Sequence, residues 1–444
     1  MPALRAPPPL PGIPAPDELP VVGSLLGFAR DPIAFLQGLQ RDHGDLVQLT
    51  LADHRVLLVS DPDLLETVFV TEWRNLHKDA IYDKTRPMLG NGLVTSEGDA
   101  WKRNRKLAAP SFTPRHIELY RATMQRCVDT WIAAQPDQAE IDLAHEMMGL
   151  TRDIVLETLF GGDLDLDVSV AGHAIEAFMD EFVVEVRGWR RFAPDWLPSP
   201  GRRRAQRAVA ALDDLIARVL AARRAKGLGD DLLSQLLSAR DEDGHGLDDR
   251  QLRDEAVTMF AAGHETTATA LTYALLLLAS HPEEQRRLAQ SPERAEAVLK
   301  EAMRLLPPVW AVGRETQAAI RLGEHDVPAG TQILVAQCVL NRNPTWFPDP
   351  DAFRPDRWLD GGPDLPRFAY LPFGGGPRVC IGNHFAMMEG TLLLSAIVSA
   401  FDTVALGPVP PPMTPSITLR PRGAIPARIS HRAGIGGESG RAAT

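Results

Sequence analysis

The segment FGGGPRVCIG, residues 373–382, sets Cys380 after three glycines and a proline and just before an apolar helical run at 385–401. A thiolate near a helix N-terminus is favoured by the helix dipole and by unpaired backbone N–H groups. Glycine lets a backbone lie flat against a large planar ligand, and Arg378 offers that ligand's carboxylates a cation. A haem iron held by such a thiolate receives the electron push that favours O–O cleavage. A lone cysteine in an apolar setting is more often a small buried hydrophobe. The weight therefore rests on the pattern around Cys380.

A second constellation, AAGHETTATA at 261–270, falls in the middle of a helix read from Asp249 to Ser280. Ala262 and Gly263 remove side-chain bulk, and Glu265 sets an acid beside the Thr266 hydroxyl. Glycine and β-branched threonines weaken a helix interior. Room for dioxygen together with a proton relay would explain that local weakness. A zinc site of the His-Glu-x-x-His type is excluded, because Ala268 stands where its second histidine belongs.

Glu301 and Arg304 in KEAMRLLPP lie three apart on a helix, a spacing that on its own marks an ordinary surface pair. Trp101 and Arg105 in AWKRNRKLAAPSF are four apart and can face one ligand from one helix. The proline-rich FPDPDAFRPDRW adds Arg357.

These motifs resemble, in order and over roughly residues 32–428, those of the cytochrome P450 family. Phe373, Gly376, Arg378, Cys380 and Gly382 fill every place of its haem-binding loop. Ala262, Gly263, Glu265 and Thr266 match its oxygen-activation motif. The resemblance implies haem b with Cys380 as the iron ligand, and Thr266 and Glu265 managing proton delivery to bound O2. It implies that Trp101, Arg105, Arg314 and Arg378 contact the haem and its propionates. Glu301, Arg304 and Arg357 would form a buried network behind the loop, structural rather than catalytic. Substrate would meet Met88, Leu89, Leu93, Ala262, Gly263, Trp310, Ala311, Val312 and Ile417. Asn341 departs from the histidine common in the family, outside the chemistry.

The elements that must position these groups read as mostly α with a minor β part, with the long central helix over a buried haem as the resemblance implies. A length of 444 residues suggests about three domains. No internal linker or repeat divides the chain, so one body over 32–430 is expected. A proline-rich segment, 1–31, precedes it, and a small polar tail, 431–444, expected to be disordered, follows. A helix is expected at 32–42, and the alternation in GDLVQLTLADHRVLLVSDP predicts a β-hairpin turning at 52–54. Further strands are expected at 319–322, 332–335 and 416–419. Two segments with proline breaks and apolar residues, 77–97 and 187–207, read as lids.

The net charge of −11 leaves no basic footprint for nucleic acid. Cys127, Cys338 and Cys380 form no CxxC pair, which excludes a cysteine-only iron–sulfur site and suits a reducing cytoplasm. The first twenty residues hold no apolar run long enough for a signal peptide or membrane anchor. A cytoplasmic monomer is expected.

The resulting expectation is a haem-thiolate monooxygenase that hydroxylates or epoxidises an apolar small molecule, a fatty acid or terpenoid. Electrons would come from NAD(P)H through a ferredoxin or flavodoxin and its reductase. Lys102, Arg103 and Lys106 would offer such an acidic partner a basic rim. A peroxide-driven peroxygenase, a haem sensor without turnover and a cofactor-free helical scaffold are the alternatives. The acid–hydroxyl pair Glu265/Thr266 favours the monooxygenase over the first two.

Overall fold

A computed structural model describes residues 8–162, 169–187 and 199–432. The core of the second expected lid, with Trp189, Phe192, Trp196 and Leu197, lies outside the described residues, as does the tail from 433. The architecture is the expected one, 55% helix with a small sheet part.

The central helix runs from Asp249 to Ser280. Asp248 starts it with a capping box, accepting from the Gln251 backbone N–H while the Gln251 side chain accepts from Asp248 N–H. His281-Pro282 ends it, since proline offers no N–H to continue the ladder. Residues 267–278 are all buried, so this half has no solvent face and runs through the core. The Leu143–Phe160 helix packs along it on one side, and the Ala295–Leu305 and Asn383–Ala400 helices on the other. Leu271, Leu275, Leu299, Leu393 and Leu394 fill the space between them.

The larger sheet has five strands in the order Leu46–Leu51, His54–Val59, Gln332–Val335, Val312–Thr316 and Leu76–His77. The expected hairpin forms its edge, closing at the Leu51↔His54 pair with Ala52 in the left-handed region at φ 58. The strand expected at 332–335 is present and pairs parallel to the hairpin. Arg314 lies within the strand Val312–Thr316.

Three expectations need correction. Residues 416–418 are a turn, not a strand: Thr418 O accepts from both the backbone N–H and the hydroxyl of Ser416, which folds the chain back. The strands lie on either side, Met413–Pro415 and Leu419–Pro421. The apolar run after Cys380 is helical only to Ala400, and Phe401–Ala405 is a strand joined to Pro426–His431 and, beyond it, Ala139–Asp142. His431, assigned to the tail, is the last residue of that sheet.

Candidate active site

The Cys380 loop, the central helix and the segment after the Ala295–Leu305 helix enclose a cavity of about 380 Å³. Cys380 reaches it at the end of a loop closed by its own backbone N–H, which donates to Phe373 O at 2.9 Å. Gly376 permits this course. It has φ +64, and a Cβ there would stand 1.9 Å from the Phe69 carbonyl oxygen.

Of the three cysteines, only Cys380 opens on the cavity; Cys127 is half-buried and Cys338 buried, and burial pushes both thiols up to about 12. Cys380 has exposed surface, but within the body of the protein, so that surface faces the cavity rather than bulk water. Burial pushes its thiol up as well, against the Gly382 N–H and the charge of Arg105. The helix begins only at Asn383, and its terminus alone does not ionise the thiol. A metal ion that displaces the thiol proton does so.

One edge of the cavity is cationic. Lys78, Arg105, Arg314 and Arg378 line it, with the Tyr82 ring among them. Arg378 lies between Trp101 and Trp73, at 5.0 and 6.0 Å from their ring centres. Its Nη1 donates to Glu97 Oε1 at 2.7 Å and its Nη2 to Glu97 Oε2, while its buried Nε has no partner. Glu97 is held below the usual carboxylate range because the Arg378 and Lys78 contacts outweigh burial. Burial lowers Lys78 to about 7, more than Glu97 restores. The four cations outnumber the carboxylates near them, Glu97, Asp79 and Glu315.

This edge fits haem b. An orphaned guanidinium nitrogen and a buried lysine short of counter-charge await carboxylates, which the propionates supply. A thiol opens on the same cavity, and the remaining wall is largely apolar, with Phe112, Val155, Leu159 and Phe385 among its residues. Trp101 and Arg105, the pair read four apart on one helix, both reach the cavity from Gly98–Ala108.

The acid–hydroxyl pair is split by the helix. Ala262, Gly263 and Thr266 line the cavity, with Thr267 beside them. The Thr266 hydroxyl donates to Ala262 O at 2.8 Å, which leaves its lone pairs to accept. Glu265 does not line the cavity. Successive helical residues diverge by roughly 100°, and its carboxylate accepts from Arg420 Nε at 2.6 Å, from Arg420 Nη2 and from Thr418 Oγ1. Burial raises Glu265, yet these bonds hold it below its ordinary range.

Among the expected pocket residues, Leu93, Ala262, Gly263 and Val312 line the cavity. Met88 and Leu89 are buried instead in a second apolar cluster with Phe160, Leu212 and Phe260, against which Ile417 packs. Trp310 turns to the sheet side, donating to Ser416 O at 2.8 Å, and Ala311 packs with it. Pro308 and Val309 take their places in the wall.

Glu301 and Arg304 are wholly buried. Glu301 accepts from Arg304 Nε and Nη2 at 2.9 Å each, Arg357 Nε at 3.0 Å, Trp358 Nε1 at 2.8 Å and Arg354 N at 2.8 Å. Burial alone would raise its pKa, and these donors lower it. Arg304 also donates to the carbonyls of Asn341, Pro350 and Ala352. Position 341 serves Arg304 through its backbone, so the side chain found there does not change that bond.

Sequence reading missed Lys78, Tyr82, Glu97 and Arg420. The first three sit in the segment 77–97 read as a lid, where nothing in the sequence marks Lys78 as buried. Nothing local pointed to Arg420, 155 residues from Glu265. The expected basic rim is masked: Lys102 pairs with Asp99, Arg103 with Asp241 and Lys106 with Glu242. No described helix is long and apolar enough to cross a membrane.

Comparison with known proteins agrees with this geometry. The chain matches the family model described as Cytochrome P450 over residues 13–426. It is 35% identical over 421 residues to cyclooctat-9-en-7-ol 5-monooxygenase of Streptomyces melanosporofaciens, covering 89% of this chain and 90% of that one. It is 32% identical over 408 residues to pentalenene oxygenase of Streptomyces avermitilis, covering 87% and 90%. The crystal structure of CYP175A1 from Thermus thermophillus superposes with a TM-score of 0.78 at 32% identity, covering 92% of this chain and 97% of that one.

Proposed function

The chain belongs to the cytochrome P450 family, and from that premise we propose that it hydroxylates a carbocyclic terpenoid with electrons from a separate ferredoxin or flavodoxin. Haem-thiolate chemistry and the use of O2 come with the family. The observation that carries the substrate reading is the cavity wall: apart from the cationic edge it is largely apolar, with Val155, Leu159, Leu93, Val94, Val309 and Val312 among its residues. The names of two relatives, an oxygenase of pentalenene and a monooxygenase of cyclooctat-9-en-7-ol, favour a terpenoid over a fatty acid. All four cations among the described lining residues lie on the cofactor edge, so none of them is left to grip a fatty-acid carboxylate.

When bound, the haem supplies dioxygen binding and reductive O–O cleavage, with the thiolate push favouring the second. The chain's own residues do the rest. Cys380 holds the iron, and Arg105, Arg314, Arg378 and Lys78 hold the carboxylate edge. Thr266 presents an accepting oxygen at the cavity wall, where it can fix a water or protonated group. Glu265 is the nearest acid along the chain, and it can pass a proton inward only after loosening from Arg420.

The test is turnover of the haem-loaded protein with a surrogate ferredoxin and reductase, offered diterpene and sesquiterpene hydrocarbons beside fatty acids. Monohydroxylated terpenoids are expected. Hydroxylated fatty acids with untouched terpenes would overturn the substrate class, and efficient turnover with hydrogen peroxide alone would favour a peroxygenase.

A further inference from the structure

Glu255 is wholly buried on the central helix and belongs to none of the groups assigned above. One carboxylate oxygen, Oε1, makes no hydrogen bond of ordinary geometry, although the Asn104 side chain faces the carboxyl, and among the described residues no cation pairs with it within 4.0 Å. The other, Oε2, accepts from the backbone N–H of Leu93 at 3.2 Å. Leu93 and Val94 line the cavity, on a strap of chain at 90–97 that crosses the helix.

The strap lies directly on the helix. A Cβ on Gly90, which has φ +58, would stand 2.0 Å from Asp254 Oδ1, and one on Gly92 would stand 2.2 Å from Thr258 Oγ1. Its backbone is gripped from both sides. Asn91 N donates to Asp254 Oδ2 at 2.8 Å, and Arg86 Nη2 donates to Thr95 O at 2.8 Å. Lys78 Nζ donates to Leu93 O at 3.2 Å and to Ser96 O at 2.7 Å. The N–H and C=O of Leu93 therefore both end on titratable side chains, Glu255 and Lys78. Lys78 also serves the cofactor edge, and Asp254 pairs with Arg253. Glu255 differs in having no ion-pair partner within 4.0 Å among the described residues while it bonds the strap.

We propose that Glu255 is a positioning residue for substrate selection: by fixing the Leu93 peptide it sets how far Leu93 and Val94 reach into the cavity, and the strap seats or lifts with the state of this carboxyl. The inference rests on the reading of the cavity as the substrate chamber. Asp254 on its own helix, Lys78 ahead of the Ala80–Asp83 helix and Asn104 on the Gly98–Ala108 helix are the groups that face it. Burial pushes Glu255 up to about 7; Asp254 adds to that, and the Leu93 N–H, Lys78 and Asn104 oppose it. Lifting the strap would return the carboxyl to water and towards its ordinary range. The proton thus favours the seated strap, and seating weakens as pH rises through about 7.

Two measurements test this. The first is spectral titration of the haem-loaded protein with imidazole and with the bulkier 4-phenylimidazole at one pH. Glu255→Ala is expected to shift the affinity ratio towards the bulky ligand by about fivefold or more, the order of a lost hydrogen bond, and Leu93→Ala should shift it the same way. The second is amide hydrogen exchange of residues 91–96, with and without haem, at about pH 6 and about pH 8. Exchange in the wild type should quicken at the higher pH relative to Glu255→Gln, which keeps an acceptor for Leu93 N and loses the titration. An unchanged ratio in Glu255→Ala, an equal loss for both ligands, or the same pH response in Glu255→Gln as in wild type would overturn the proposal. If Glu255→Ala fails to fold, the exchange of Glu255→Gln decides. If the wild type binds neither azole, the chamber reading falls and takes the selection claim with it, whereas an unchanged ratio sinks only the role of Glu255.

Discussion

Arg420 grips Glu265 through Nε at 2.6 Å and through Nη2, on the side of the central helix away from the cavity that Thr266 faces. The acid and the hydroxyl that adjoin in sequence are thus held apart in space. Arg420 sits on the Leu419–Pro421 strand, and Tyr273 OH donates to Leu419 O at 2.7 Å, so the central helix is tied to this terminal hairpin twice.

The pair has a pH signature. Burial raises Glu265, and Arg420 with Thr418 more than offsets it, leaving the carboxyl depressed. A depressed carboxyl contributes stability above its unfolded pKa and loses it as pH falls through the folded value. Arg420→Ala strands a buried charge at a cost of about 3–5 kcal/mol. Denaturation followed against pH should show the deficit of that variant greatest near neutrality and partly recovered on acidification, as the uncompensated carboxyl takes up a proton. The wild type instead loses stability as pH falls, and Arg420→Lys should retain most of the wild-type profile. A variant whose stability falls with acid in parallel with the wild type would exclude the pair as the source.

Thr266 predicts a different phenotype. Its hydroxyl is anchored to Ala262 O and its oxygen faces the cavity, so Thr266→Val removes an acceptor without opening a hole. Haem content and substrate-induced spectral change should be preserved. Product per electron should fall steeply, towards the roughly hundredfold lower range of a lost proton-transfer group, with hydrogen peroxide released instead. Retained coupling would remove Thr266 from the relay.

How far this site was legible in sequence depends on the length scale of each signal. The Cys380 loop, the weak middle of the central helix and the hairpin are written within ten or twenty neighbouring residues; the hairpin forms, and the other two segments meet at one cavity. The pocket was read less well. Trp310 and Met88 are apolar and lie close in sequence to cavity residues, yet Trp310 finds an acceptor in Ser416 and Met88 joins the cluster with Phe160 and Phe260. Which way a side chain turns is decided by partners distant in sequence. Glu265 makes the same point, for its charge partner lies 155 residues away.

Glu301 is the residue on which folding around the loop should depend most. Its two oxygens serve Arg304, Arg357, Trp358 and the Arg354 amide at full burial. Glu301→Ala leaves Arg304 charged and unpaired in the core, a loss of about 3–5 kcal/mol. The expected result is protein without haem, or insoluble protein, while Trp358→Phe, which removes one neutral donor, costs only about 1 kcal/mol. Normal haem incorporation in Glu301→Ala would show that the network is dispensable.

The masked rim makes the last prediction. Lys102, Arg103 and Lys106 were expected to steer an acidic ferredoxin, but Asp99, Asp241 and Glu242 each neutralise one of them. Arg103 also donates to Gly246 O at 2.8 Å, so it ties the 241–246 loop to the Gly98–Ala108 helix and is poorly free to meet a partner. Lys102 and Lys106 are exposed and held only by exposed acids, pairs that are easily exchanged for a partner's carboxylates. Removing those acids should therefore unmask the lysines. Asp99→Asn with Glu242→Gln is expected to speed ferredoxin-supported reduction at low ionic strength, and the gain should fade as salt approaches about 0.15 M, where the screening length is near 8 Å. Stopped-flow reduction across a salt series measures this directly. Rates that match wild type at every salt concentration would place the electron donor on another face.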